Sequence, residues 1–93
     1  MSSLLAQAVC LSEEMLQSAR SEDWDSLALQ EAQREIVLQR AAEQGERDHE
    51  AVGTLIRLND ELRDTVRRAR DLVADEWQRA NGRAQAIAAY LSA

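Results

Sequence analysis

Residues 52–77, VGTLIRLNDELRDTVRRARDLVADEW, decide the fold of this chain. Read in steps of three and four, they give an apolar stripe broken by one amide: Val52, Leu55, Ile56, Asn59, Leu62, Val66, Ala69, Val73 and Trp77. This spacing is that of one face of an α-helix, and the residues between are mostly charged, as on a solvated face. Such a helix spans about 39 Å and cannot cover its own stripe. Other helices must therefore pack against it.

The composition predicts an all-α fold. The 93 residues contain no proline and three glycines, and they are rich in alanine, leucine, glutamate, glutamine and arginine, which favour helices. A chain of this length forms one domain, here residues 1–93, with a small core. We expect an antiparallel bundle of three helices, the second and third long, plus a short C-terminal fourth helix. The predicted helices cover about residues 4–20, 22–43, 49–80 and 83–91.

Capping residues set the starts of these helices. Ser2 or Ser3 is predicted to cap the first helix, Ser21 the second and Asp48 the third. Gly45 is expected at the C-terminal end of the second helix, where a glycine commonly follows the last turn. These signals therefore mark two helix boundaries before the long helix begins.

The end of the third helix is less clearly marked. Asn81-Gly82 is a turn signal and predicts a break before the short fourth helix. The alternative is one unbroken helix to the C-terminus, which the glycine would weaken by about 1 kcal/mol.

The charge distribution limits the classes of partner. The net charge is −6, which argues against direct binding of nucleic acid. Residues 1–50 carry eleven acids and four arginines, and residues 51–93 carry six acids and seven arginines. The acidic half is either a solvated face or a surface for a partner with basic patches.

The sequence holds no pattern expected of an enzyme or of a metal or cofactor site. The single Cys10 lies among small apolar residues and is interpreted as a packed thiol, and the single His49 as solvated. Glu31 follows Trp24 by two helical turns; it pairs either with Arg34 on the surface or with a residue on another helix. We therefore expect neither catalysis nor a cofactor.

No stretch has the features of a secretion signal or of a membrane span. The expected location is cytoplasmic, without membrane insertion.

The apolar stripes are wider than a three-helix core needs. Leu29 and Ile36 lie off the main line of the second helix, and Leu58 and Leu72 off that of the third. This surplus favours a groove for a partner helix or a face for self-association. Scattered exposed aliphatic side chains are the alternative.

Three segments resemble the flagellar export chaperone FliT family. Residues 22–31, EDWDSLALQE, resemble its Trp-Asp…Leu…Gln-Glu signature. Residues 59–62, NDEL, followed by Val66, Arg70 and Val73, are similar to its Asn-containing long helix, and Ala89-Tyr90 looks like its terminal Ala-Tyr pair. The resemblance covers most of the chain.

The resemblance implies a cytoplasmic chaperone of flagellar type III export. Its client would be the C-terminal segment of the filament-cap protein FliD. The family also implies contacts with the export ATPase complex and the export gate, and in some bacteria restraint of the master flagellar transcription activator.

The resemblance also implies where partners bind. The family's groove lies mainly on the second and third helices, and its last helix can fold over that groove and inhibit binding. The candidate partner-binding residues are Ile36, Leu38, Val52, Leu55, Ile56, Asn59, Leu62, Val66 and Val73. The candidates for autoinhibition or export-apparatus contact are Ala84, Ile87 and Tyr90.

Two other functions stay open at the level of sequence. One is a structural module that forms a homodimer through the surplus apolar surface, and the other is a transcriptional regulator with no export role. The role of Asn59 is also open, since an amide in an apolar seam either fixes helix register or meets a client.

Overall fold

A computed structural model describes residues 3–92 and is all-helical over that range. It contains α1 (Leu4–Arg20), α2 (Trp24–Glu43) and α3 (His49–Leu91). The molecule is elongated, with extents of 70 × 20 × 20 Å, because α3 alone has 43 residues. The expected all-α class is confirmed for this part of the chain.

Three side chains cap the helix starts. The Ser3 hydroxyl accepts a hydrogen bond from the Ala6 backbone N–H at 3.0 Å, as predicted, while Ser2 lies outside the described residues. Asp48 caps α3 by accepting from the Ala51 N–H at 3.1 Å, also as predicted. Each bond satisfies a backbone donor that the first helical turn leaves unpaired.

The cap of α2 is Asp23, and the prediction of Ser21 is wrong. Ser21 instead ends α1, and Glu22 takes a left-handed conformation at φ 58°. The Asp23 N–H then donates to the Ser18 carbonyl at 2.8 Å, so residues 21 and 22 belong to the closing turn of α1. Hydrogen bonds from the Ser26 hydroxyl and the Ser26 N–H lower the pKa of Asp23.

The helix α1 lies between the other two. It packs on both α2 and α3, whereas no Cα of α2 comes within 8 Å of a Cα of α3. The buried apolar cluster joins α1 to α3 and comprises Met15, Leu16, Ala19, Leu58 and Leu62. Small buried residues on α1, among them Ala8 and Ser12, allow close approach of its neighbours.

Hydrogen bonds between helices give their directions. The Ser18 hydroxyl donates to Gln30 at 2.8 Å, and the Leu5 N–H donates to the Glu46 carboxylate at 2.9 Å, so α2 runs antiparallel to α1. The same carboxylate also accepts from the Leu4 N–H at 3.2 Å. A negative charge at these free N–H groups is favoured by the dipole of α1. Glu46 thereby ties the start of α1 to the loop between α2 and α3.

The predicted break at Asn81-Gly82 and the short fourth helix are wrong. The helix α3 continues without interruption from His49 to Leu91. A glycine inside a helix costs only about 1 kcal/mol and removes no hydrogen bond, unlike proline. Gly82 is also solvent-exposed, and nothing lies within 4 Å of where a Cβ would be. The turn signal is therefore outweighed by helix formers on both sides.

Replacing Gly82 with alanine is expected to protect the backbone amides near residue 82 about two- to fivefold more strongly from hydrogen exchange. The reason is that alanine in an open helical position gains about 0.5–1 kcal/mol over glycine. Hydrogen exchange with mass spectrometry measures this. Gly53→Ala is the matched control, because Gly53 is likewise helical with open space around it but lies in the bundle. Unchanged or weaker protection near residue 82 would favour the break that the sequence predicted.

Candidate functional site

A groove runs along the molecule between α2 and α3. It exists because α1 holds these two helices apart, so that α1 forms its floor through Leu5 and Met15. The lining residues of α2 recur at helical spacing, as Leu27, Glu31, Arg34 and Leu38. Both walls are thus single helical faces, which is the form that accepts another helix.

One cross-link divides the groove. The Arg34 guanidinium on α2 donates to the Ser12 hydroxyl on α1 at 3.2 Å and to the Asn59 side-chain oxygen on α3 at 3.4 Å. Ser12 is only 1% exposed, and its own hydroxyl donates to the Ala8 carbonyl at 2.9 Å. Asn59 therefore has a partner within the chain, and the bridge connects all three helices.

The compartment on one side of this bridge is mainly apolar. It has a volume of about 430 Å³, and the residues that line it apart from the bridge are Leu5, Leu38, Val52, Leu55, Ile56 and Asp60. Val52 is 42% exposed and Ile56 is 60% exposed, although both belong to the apolar stripe of α3. Burial of these side chains by a ligand would contribute about 25 cal/mol per Å² of apolar surface.

The compartment on the other side has an apolar base and a charged rim. Its volume is about 390 Å³, with Met15, Leu27, Leu62 and Val66 below. The charged lining residues are Glu31, Arg34, Arg63, Arg67 and Arg70. Four guanidinium groups against one carboxylate make this end of the groove basic, and an acidic ligand segment would be favoured here.

Comparison with family models identifies the chain. The model described as "Flagellar protein FliT" matches residues 2–92. The chain belongs to the FliT family. This membership implies the role of a flagellar export chaperone and bears out the resemblance found in the sequence. Comparisons with curated proteins and with solved structures gave no match.

Most of the predicted partner-binding residues of this FliT-family chain lie together in the groove. The structure places there Leu38, Val52, Leu55, Ile56, Asn59, Leu62 and Val66. Leu62 is 7% exposed and contributes to the base more than to the accessible walls.

Two predicted residues lie elsewhere. Ile36 is two positions from both Arg34 and Leu38, which puts it about 200° around α2 from the groove, and it is 50% exposed there. Val73 lies on α3 beyond the groove and is 66% exposed. The groove hypothesis therefore does not depend on either residue.

The residues predicted for autoinhibition, Ala84, Ile87 and Tyr90, are far from the groove in this FliT-family structure. They lie on the last two turns of the straight α3, and every residue from Asp71 to Ser92 is exposed. We call residues 71–91 the arm. Folding of the last segment over the groove is absent from the structure, because no break at Gly82 allows it.

Sequence reasoning missed Arg34 as the centre of the site. Arg34 was considered only as a surface partner of Glu31, yet both line the same wall as Leu27 and Leu38. That common helical face is the signal that could have found it. Leu5 and Met15 belong to α1, and their role as the groove floor depends on which helix lies in the middle.

The described residues contain no other feature of a chemical site. No group of three or more histidine, cysteine or acidic side chains within residues 3–92 is arranged to hold a metal ion. Cys10 is exposed, so the prediction of a packed thiol is wrong. Over the same range, no helix is both long and apolar enough to span a bilayer.

Proposed function

We propose that this chain is a cytoplasmic chaperone of flagellar type III export. Its client is the filament-cap protein FliD, whose C-terminal segment binds in the groove between α2 and α3 as an amphipathic helix. The observation that supports this best is the open apolar compartment, with Val52 and Ile56 exposed on a helix face that no other helix of the described structure covers. Family membership supplies the flagellar context.

The dimensions of the groove suit one client helix. Its α3 wall extends from Val52 to Arg70, about 27 Å at 1.5 Å per residue, which is the length of a helix of about 18 residues. Apolar client side chains at positions i, i+3, i+4 and i+7 would enter the compartment at Val52 and Ile56. Acidic client residues would meet the arginines at the other end.

Delivery of the client requires a second surface. We assign contact with the export ATPase complex and the export gate to the end of the arm, where Ala84, Ile87 and Tyr90 are exposed. Restraint of the master flagellar transcription activator would use the groove, so that the activator and the client compete for it.

Calorimetric titration tests the proposal. A peptide of the FliD C-terminal segment from the same bacterium is expected to bind one per chain, with a dissociation constant near or below about 10 μM. A peptide of equal length from the FliD N-terminal region is the control and is expected not to bind. No binding of the C-terminal peptide, or equal binding of both peptides, would overturn the proposal.

A further inference from the structure

The face of α3 that lines the groove changes from apolar to basic along its length. Val52 and Ile56 lie on it at one end, and Arg63, Arg67 and Arg70 lie on it at the other. The spacings within this set keep all five side chains on one side of the helix. The groove that we assign to the client therefore has two chemically different ends.

The three arginines at the basic end repel one another. They are four and three residues apart, a spacing at which like charges on a helix are unfavourable. Asp64 and Asp71 are three and four residues from Arg67, whereas Arg70 has no acidic residue at either distance. Among the hydrogen bonds described within residues 3–92, none engages the three side chains. An anion bound here would therefore relieve repulsion as well as accept charge-assisted hydrogen bonds.

The opposite end of the bundle is acidic. Residues 43–50, which end α2 and begin α3, contain four acidic residues and one arginine. One of them, Glu46, accepts from the backbone N–H groups of Leu4 and Leu5, and Leu5 also lines the apolar compartment. The groove therefore runs from a negative end to a positive end.

These charges match the dipole of a bound helix in one direction, since a helix is positive at its N-terminus and negative at its C-terminus. We propose that the client helix lies parallel to α3, with its C-terminal carboxylate bound by Arg67 and Arg70. The inference rests on the proposed function, because the occupant is the C-terminal segment of the client. It adds the direction of the client helix and the group that the arginines bind.

The reverse direction is opposed at both ends of the groove. It would bring the terminal carboxylate of the client to the acidic residues 43–50 and the positive end of the client helix to the arginines. In the proposed direction, a guanidinium can donate two parallel hydrogen bonds to the carboxylate. The last carbonyl groups of the client helix, which have no partner within that helix, face the remaining arginines.

Two forms of one peptide test which group the arginines bind. The peptide of the FliD C-terminal segment is made with a terminal carboxylate or a terminal amide, and each is titrated calorimetrically into the full chain. The carboxylate form is expected to bind about three- to tenfold more tightly, and less so at high salt. Amidation by itself favours a helix, so this preference would come from the arginines.

Matched double variants locate the preference on the molecule. Arg67→Gln with Arg70→Gln removes two charges from the groove, and the preference for the carboxylate form is expected to fall below about twofold. Arg57→Gln with Arg68→Gln removes two charges about 150° around α3 from Val52, and it is expected to keep the preference.

Fluorescence energy transfer tests the direction. The two tryptophans of the chain both lie toward the basic end: Trp24 is three residues before Leu27 of that compartment, and Trp77 is seven residues beyond Arg70. An acceptor dye on a side chain near the C-terminus of the client peptide is expected to quench them more than one near its N-terminus.

Failure of this inference can be told from failure of the proposed function. Equal affinity for the carboxylate and amide forms, with the FliD N-terminal control still unbound, would overturn the inference and leave the proposed function standing. So would a preference that the Arg67 and Arg70 variant retains, or stronger quenching by the N-terminal dye. Binding of neither form would overturn both.

Discussion

Replacing Leu62 with alanine is expected to lower the free energy of unfolding by about 2–4 kcal/mol. Leu62 is 7% exposed and belongs to the cluster with Met15, Leu16 and Leu58 that joins α1 to α3. Removal of its side chain costs the transfer free energy of the lost atoms and leaves a cavity. Since a domain of this size is stable by only about 5–15 kcal/mol, the loss is a large fraction of the total. Urea unfolding followed by circular dichroism measures it.

Leu72→Ala is the matched control for Leu62→Ala. Leu72 lies ten residues further along the same helix, on the arm, and is 60% exposed. Its replacement is expected to change the free energy of unfolding by no more than about 0.5 kcal/mol. Equal losses for the two variants would contradict the distinction between a packed half of α3 and an exposed arm.

Replacing Ile56 with aspartate is expected to weaken binding of the FliD C-terminal peptide about 10- to 100-fold. The bound client would lose apolar contact with Ile56, and the new carboxylate would be buried without a partner. The fold should tolerate the change, because Ile56 is 60% exposed in the free chain. The calorimetric titration that tests the proposed function measures the loss directly.

Leu29→Asp provides the comparison for Ile56→Asp. Leu29 is 67% exposed and lies seven residues before Ile36, on the side of α2 away from the groove. The same type of change there is expected to leave peptide affinity within about twofold of the original. If Leu29→Asp weakened binding as much as Ile56→Asp, the client site would have to lie outside the groove.

The sequence was sufficient for the helical class, because local signals agreed with one another. Ser3, Gly45 and Asp48 act at helix ends as their types predict, and Gly45 has the positive φ of 66° that favours glycine. These effects are local, so they can be read without knowledge of packing. The predicted helix ends at residues 20 and 43 agree with the structure for the same reason.

The errors arose where two local signals compete. Asn81-Gly82 suits a turn, but its helical neighbours outweigh it when nothing in the structure requires a bend. At Ser21, the closing turn of α1 uses the residue that otherwise suits the start of α2. Energy differences of about 1 kcal/mol decide such cases, and sequence pattern does not resolve them.

The groove was predicted only in part, because its position depends on which helix lies in the middle. Ile36 was assigned to the groove from a resemblance, while its helical phase relative to Leu38 places it on the opposite side. Arg34 was passed over because a charged residue on a helix is usually solvated. Its bonds to Ser12 and Asn59 become visible only when all three helices are in place.

The separation of α2 from α3 has a consequence for the range of clients. Both helices pack on α1 and not on each other. Among the hydrogen bonds described, only the Arg34–Asn59 bond crosses the gap between α2 and α3. Widening the gap would break that one bond, which for a charged donor costs about 1.5–3 kcal/mol, and would leave the cluster of α1 and α3 intact. If client helices bind in this groove as proposed, α2 can move to admit helices of different diameter, while the cluster that joins α1 to α3 stays intact.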